Sequence, residues 1–437
     1  MVLPPPTILN PFAWTGTIMF RISRTILFTV AAACFIASST TGQAVAEEWN
    51  RFRGPNGSGV SDATTVPAEW TDKDYNWTVD LPGIGHSSPI AWASRLFVTS
   101  ADDKAKTRTL QCFNVSDGTE VWRKDISFDP YKQQKNNSFA SNTPTADADH
   151  VYVLWHSKVS SPLIAYDHAG NKVWEYELGP YLHGQGGATS PIVYQNSVFV
   201  AHDHKDDSFL VAVDRMTGKE QWKIPREGKR ACYGTPCINT PQDRPAEVIF
   251  SHCYEGIVGV DLKTGHQNWH IDVFGRASQR ALGSPVIAGD LVVASSGGVG
   301  GERQVVVVKP QLSDDKVTVK ETYRVIRQAP HVPTPLIYKD WMFLWNDGGI
   351  ATCVERDSGK VVWQERVGGN FYCSPICIDG KIYCVDLDGE VVVIAAADEY
   401  ELLGRNSLGH PSRATPAVSN GALIIRTESQ VISIGGK

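Results

Sequence analysis

The stretch "AVDRMTGKEQW", Ala212 to Trp222, returns 47 residues later as "GVDLKTGHQNW", Gly259 to Trp269. Three further copies are "CFNVSDGTEVW" (Cys112 to Trp122), "AYDHAGNKVW" (Ala165 to Trp174) and "CVERDSGKVVW" (Cys353 to Trp363). The Trp positions step by 52, 48, 47 and 94, so the last gap holds two periods. "VVVVKPQLSDDKVTV" (Val305 to Val319) fills it as a worn copy that keeps its strands and lacks the Trp. A period near 47 residues marks a repeat architecture, in which one unit buries its apolar faces only against its neighbours. Within the phrase, Gly supplies the positive φ of a turn, and the Asp or Thr side chain holds its amides. The Trp, four residues on, is expected on an outer strand with its indole flat on the next unit. There a small residue (Ala212, Gly259, Ala165, Cys112 or Cys353) would leave room for it. Trp77, Trp122, Trp174, Trp222, Trp269 and Trp363 are thereby read as docking residues, each ring contributing about 2–3 kcal/mol.

A second signal keeps the same beat: a short segment ending in Pro at positions 89, 144, 191, 236, 285, 335, 375 and 416, each Pro preceded by Ser or Thr. Each is followed by a turn and a β-branched or aromatic run, as in "SPICIDGKIYCVDLDGEVVVIAAA", where Asp379-Gly380 and Asp388-Gly389 punctuate three strands. The unit is about four short antiparallel strands, and such units close into a β-propeller. The last one, "TPAVSNGALIIRTESQVISIGGK", lacks its fourth strand, while "DYNWTVDLPG" (Asp74 to Gly83) is an orphan whose Trp77 precedes the first Ser-Pro signal. The expected fold is all-β: an eight-bladed propeller of four-stranded antiparallel blades over residues 74–437, closed by an N-terminal strand that completes the last blade and removes the exposed edges. Seven blades would require one Ser/Thr-Pro beat to be accidental.

Residues 1–46 read as a signal peptide whose true start is Met19. Arg21 and Arg24 give the charged start, "ILFTVAAACFIA" the apolar stretch, and "AVA" (Ala44 to Ala46) the cleavage site. The expected location is therefore periplasmic or secreted, with residues 47–73 an N-terminal segment; lipidation at Cys34 is the less favoured alternative, because Ala31 stands where Leu is usual. The apolar stretch is too short to span a bilayer. The net charge of −6 gives no nucleic-acid footprint. The other eight cysteines form no CxxC and read as buried thiols; the pairs Cys232–Cys237 and Cys377–Cys384 are the candidates for any disulfide.

The phrase Ala-x-Asp-x-x-Thr-Gly-x-x-x-Trp resembles the tryptophan-docking repeat of the quinoprotein alcohol dehydrogenases, which are eight-bladed propellers. "WNRFRGPNGSGVS" (Trp49 to Ser61) is similar to the start of bacterial secreted proteins with pyrroloquinoline-quinone-like repeats. The same repeat occurs in the non-enzymatic lipoprotein of the outer-membrane barrel-assembly machinery and in sensors attached to Ser/Thr kinases. For a dehydrogenase the resemblance implies pyrroloquinoline quinone with calcium, an adjacent cysteine pair over the quinone, a Glu, Asn and Asp calcium site under it, and a general-base Asp. This sequence has no Cys-Cys, and no Asp carries a matching context. "VDLDGE" (Val385 to Glu390) opens like a calcium loop but reads as a two-residue hairpin turn. "SSGGVGGERQ" (Ser295 to Gln304) links strands and opens no helix, so it is a blade loop rather than a phosphate cradle. "AHDHKDD" (Ala201 to Asp207) reads as a solvated loop in preference to a metal site.

Propellers bind ligands where their innermost strands converge. Three positions before each Pro stand His86, Ser141, Ala188, Tyr233, Leu282, Val332, Tyr372 and Arg413, flanked by "YLHGQGG" (Tyr181 to Gly187), Arg230 and Arg280. His86, His183, Gln185, Tyr233, Arg280, Tyr372 and Arg413 are the candidate ligand-binding residues, suited to a small anionic or quinone-like molecule, and a wet unspecific mouth is the competing reading. No catalytic residue and no metal ligand is assigned. The favoured function is an exported, monomeric binding or scaffold propeller of the bacterial cell envelope, taking a protein or polysaccharide partner on a loop face. The alternative is a quinone-dependent dehydrogenase.

Overall fold

The computed structural model describes residues 49–436 apart from 228–229, 276–279 and 299–301, so the signal-peptide and Cys34 readings lie outside the described residues. The repeat phrase builds the outer half of a sheet. In blade 3, strands Ile192–Tyr194, Ser197–His202, Phe209–Asp214 and Glu220–Pro225 lie side by side in chain order, all antiparallel. Blades 1, 2, 4, 5, 6 and 7 repeat this order over residues 90–127, 145–177, 237–271, 286–325, 336–366 and 376–407. Blade 8 takes three strands from 417–435 and its fourth from Tyr75–Asp80, which pairs antiparallel with Gln430–Gly435. The orphan therefore closes an eight-bladed ring.

The turn inside the phrase forms as its residues dictate. Asp214 Oδ1 accepts from the Thr217 N–H at 2.9 Å and the Thr217 hydroxyl at 2.8 Å, and Gly218 sits at φ +68°. Trp222 Nε1 then donates to the Leu262 carbonyl of blade 4 at 3.0 Å, with its indole over Gly265 of that blade's own turn. Trp77, Trp122 and Trp174 stack in the same way on Gly118, Gly170 and Gly218. Two expectations need correction. The small residue lies beside the Trp in its own blade, not on the next one: Ala212 faces Trp222, Gly259 faces Trp269 and Cys353 faces Trp363 across the strand pair. The glycine of the turn is what the next blade offers the ring. The worn copy has not lost its docking ring either, because Tyr323 occupies the Trp position opposite Val307, lies on Gly359 of blade 6 and donates its hydroxyl to the Arg356 carbonyl. Trp269 departs from the pattern and donates to the buried Glu247 carboxylate at 2.9 Å, since blade 5 has no Thr-Gly turn to receive it.

The Ser or Thr before each Pro forms a clasp between blades. Ser88 N–H donates to Thr143 Oγ1 at 2.9 Å and Thr143 N–H to Ser190 Oγ at 2.9 Å. Thr235, Ser284, Thr334 and Ser374 hand on the same bond at 3.0 Å, to Ser284, Thr334, Ser374 and Thr415. The Pro that follows, which favours extended backbone in the residue before it, sets the hydroxyl toward the neighbouring blade.

Residues 49–73, set apart from the propeller in the sequence reading, are threaded into it. Trp49 and Arg53 are fully buried, and the Trp49 carbonyl accepts from Ala91 N–H of blade 1 at 2.9 Å. The Asn50 carbonyl accepts from Ala146 N–H of blade 2, Asn56 exchanges hydrogen bonds with Ile238 of blade 4, and Val60–Ser61 adds a parallel strand to blade 7. The segment thus crosses the channel and closes the end that bears the short turns, such as Asp379-Gly380 and Asn420-Gly421, whose paired positive φ values mark type I′ hairpins. All eight described thiols are buried and free; Cys232 approaches Cys253, and Cys384 approaches Cys373, rather than the partners expected from strand spacing.

Candidate functional site

Strand direction alternates within each blade, so the connections that lead into the inner strands all open on the face opposite the short turns. They surround a cavity of about 580 Å³. All eight residues three positions before the prolines line it, and the ring of Ser and Thr hydroxyls lies among them, with Phe52 from the crossing segment also in its wall. Of the candidate ligand-binding residues, His86, Gln185, Tyr233, Arg280, Tyr372 and Arg413 face the cavity. His183 stands one layer behind, its Nδ1 3.2 Å from the Tyr233 hydroxyl and its Nε2 3.4 Å from Arg280 Nη1.

Sequence reasoning missed the connection 128–144 between blades 1 and 2, which carries Gln134, Asn136 and Asn137 to the mouth. Asn136 Nδ2 donates to the Tyr372 hydroxyl of blade 7 at 3.0 Å, and Asn137 Nδ2 to the Gln185 carbonyl at 2.7 Å, so this loop spans part of the opening. The Ser/Thr-Pro beat touches only its end, at Ser141 and Pro144, and the repeat phrase skips it, so length was the only signal for residues 128–140. His331 was missed for the same reason.

The lining is cationic: Arg230, Arg280 and Arg413 reach it, and no carboxylate does so among the described residues. The nearest acids are engaged around it. Glu428 pairs with Arg413 and lies 3.8 Å from His86 Nε2, while Asp347 accepts from Arg303 at 3.2 Å and from the His331 N–H at 2.7 Å. Burial holds His183 down to about 4, with Arg280 adding to the effect, and burial lowers His86 and His331 as well. The imidazoles are therefore neutral near pH 7, and the fixed charge belongs to the guanidiniums. This donor set can hold a small anion by charge-assisted hydrogen bonds. It does not fit the calcium centre of a quinoprotein, which needs anionic oxygen ligands at the cavity.

Three other sequence readings meet the structure here. In "VDLDGE", Asp386 Oδ1 accepts the N–H of Asp388 at 3.0 Å and of Glu390 at 2.8 Å, so the carboxylate is consumed by a turn, over 386–389 rather than two residues. The Gly-rich stretch after Leu291–Ser296 leads into the strand Gln304–Ser313, as expected of a blade loop. The "AHDHKDD" patch is solvated only in its second half: Lys205, Asp206 and Asp207 are exposed, whereas His202 and His204 are buried, 4.6 Å apart between ring centroids, under Tyr181. Tyr181 covers them because the connection after blade 2 folds back over this hairpin, with the Leu182 N–H 3.3 Å from His204 Nδ1.

Comparison with known proteins fits this geometry. The family model described as "Outer membrane protein assembly factor BamB" matches residues 106–339 and 327–434. The BamB of Yersinia pestis is 22% identical over 357 residues, covering 80% of this chain and 75% of its own. Among solved structures, BamB from Moraxella catarrhalis superposes with a TM-score of 0.59 at 15% identity, over 82% of this chain and 96% of that one. Quinohemoprotein alcohol dehydrogenase from Comamonas testosteroni gives 0.61 at 12% identity, over 89% and 80%. At those identities the two structures share the fold alone. By the family match, which spans most of its blades, the chain belongs to the family of the outer membrane protein assembly factor BamB.

Proposed function

We propose that the chain is an exported, non-catalytic propeller of the cell envelope that binds a protein partner on its cavity-bearing loop face, in the assembly of outer-membrane proteins. The observation that carries this reading is the division of labour between the two faces. The short-turn end is regular and sealed by residues 49–61, whereas the long connections, where the repeats stop resembling one another, gather on the other face. That face also presents Ile84, Val159 and Leu182, apolar side chains left in solvent. A protein partner seated on this face would take these apolar groups out of water.

Removing the chain from its host is expected to lower the amount of folded β-barrel protein in the outer membrane, with recovery on re-expression. Unchanged barrel content would overturn the reading. So would substrate-dependent dye reduction by the protein reconstituted with pyrroloquinoline quinone and calcium, the outcome the dehydrogenase alternative requires.

A further inference from the structure

Beside the cavity, Cys232, His252 and Cys253 bring three donor atoms within 4.8 Å of one another, and all three residues are buried. Cys232 lies on the connection that enters blade 4, next to cavity-lining Tyr233, while His252 and Cys253 stand at the hairpin end of the strand Glu247–His252. The two Sγ atoms are 3.3 Å apart. A disulfide would bring them to about 2.05 Å. A tetrahedral zinc ion with sulfurs at about 2.3 Å sets them roughly 3.8 Å apart. The pair is thus nearer the spacing a metal imposes.

The surroundings suit the same ion. His252 Nε2 is 3.2 Å from the Arg230 carbonyl, the kind of backbone contact that fixes the tautomer of a ligating imidazole. In that tautomer the Nδ1 lone pair accepts the Tyr254 N–H at 3.2 Å, and a cation bound there would take the place of that hydrogen bond. The Cys253 N–H points at Cys232 Sγ from 3.3 Å, which holds that sulfur in place beside its neighbour. Ala281 and Tyr254 complete an apolar shell around the sulfurs. Two thiolates, one neutral imidazole and a divalent cation carry no net charge, which such a shell tolerates far better than an isolated ion.

We propose that Cys232, His252 and Cys253 form a zinc site that fixes the stretch from Arg230 to Tyr233, and with it one wall of the cavity, to the hairpin of blade 4. On binding, two S–H bonds break, two Zn–S bonds form, His252 donates a lone pair and two protons pass to solvent; no electrons are transferred. Three protein donors leave a fourth position for water or an external ligand. The site stands on its own geometry, whichever partner the loop face takes.

The test is a cobalt titration of the full chain, reduced, stripped with a chelator and kept under anaerobic conditions. The expected result is one ion per chain with a sulfur-to-cobalt charge-transfer band, lost when one equivalent of zinc is added. Cys232→Ser and Cys253→Ser each lose intensity in that band, His252→Gln keeps it but binds more weakly, and Cys373→Ser, at the other close thiol pair, behaves as the parent. No charge-transfer band in a chain that circular dichroism shows to be folded overturns the proposal, and this measurement needs no variant. Cobalt binding unchanged in both serine variants overturns it too, as does a Cys232–Cys253 disulfide that forms under saturating zinc.

Discussion

Gly218 has φ +68°, and a Cβ placed on it would lie 2.7 Å from the Trp174 indole, so Gly218→Ala strains the turn and lifts the ring from its seat together. The expected cost is about 1–3 kcal/mol, read as a lower denaturant midpoint. Trp222→Ala removes a ring buried between blades 3 and 4 and should cost about 3–5 kcal/mol. The turn glycine and the docking Trp were each legible in sequence because they recur at fixed spacing, but the seating of one on the other was not. The small residue opposite the Trp was legible as a slot but placed on the wrong blade, since cross-strand register cannot be read from within one phrase. Tyr323 escaped because the period was counted on Trp alone, although the physical requirement is a flat ring over glycine. The buried histidines escaped because a run of His, Asp and Lys looks solvated until another segment covers it. They also set a pH response. Burial, with His204 adding to it, takes His202 down to about 3, and burial takes His183 to about 4, against about 6.5 when unfolded. The unfolded chain therefore takes up protons first: this contribution to stability is complete above about pH 6.5 and is lost as pH falls toward 4. The slope is about 1.4 kcal/mol per pH unit for each proton taken up. Denaturant melts across that window should show the decline, and His202→Phe should flatten it.

At the scale of elements, the Ser/Thr-Pro beat located every inner strand and, three positions earlier, eight of the residues that line the cavity, yet its hydroxyl gave no hint of its own task. The donor it satisfies belongs to another repeat, and a pairing between repeats appears only once the ring closes. Ser374→Ala leaves the Thr334 N–H without its acceptor at a buried position and should cost about 1–3 kcal/mol. The crossing segment was the larger omission. Its lone strand is two residues long and its other anchors are scattered hydrogen bonds from irregular backbone and side chains, so nothing in its pattern marks it as structural. Arg53 is its pin: the guanidinium is fully buried and donates to the carbonyls of Gly57 at 3.1 Å and Pro375 at 3.3 Å. Arg53→Ala should cost about 3 kcal/mol or more. It should also make residues 49–61 the first site of limited proteolysis; cleavage elsewhere, with that segment intact, would mean the channel floor is held by other contacts.

For the whole molecule, closure by the Tyr75–Asp80 strand turns eight similar sheets into a ring whose two ends differ. One end is short turns and a plug; the other is long loops around a cationic cavity. Architecture was therefore readable from repetition, while the working surface was readable only as the place where repetition fails. The central claim is that this loop face takes a protein partner. Its most direct measurement is photo-crosslinking in the living envelope from single positions on the two faces. Val159, 84% exposed, and Leu182 report the loop face, and Met216 reports the turn face. Adducts with an outer-membrane assembly protein from Val159 and Leu182, and none from Met216, are the predicted result. Adducts from Met216 alone, or from none of the three, would contradict it.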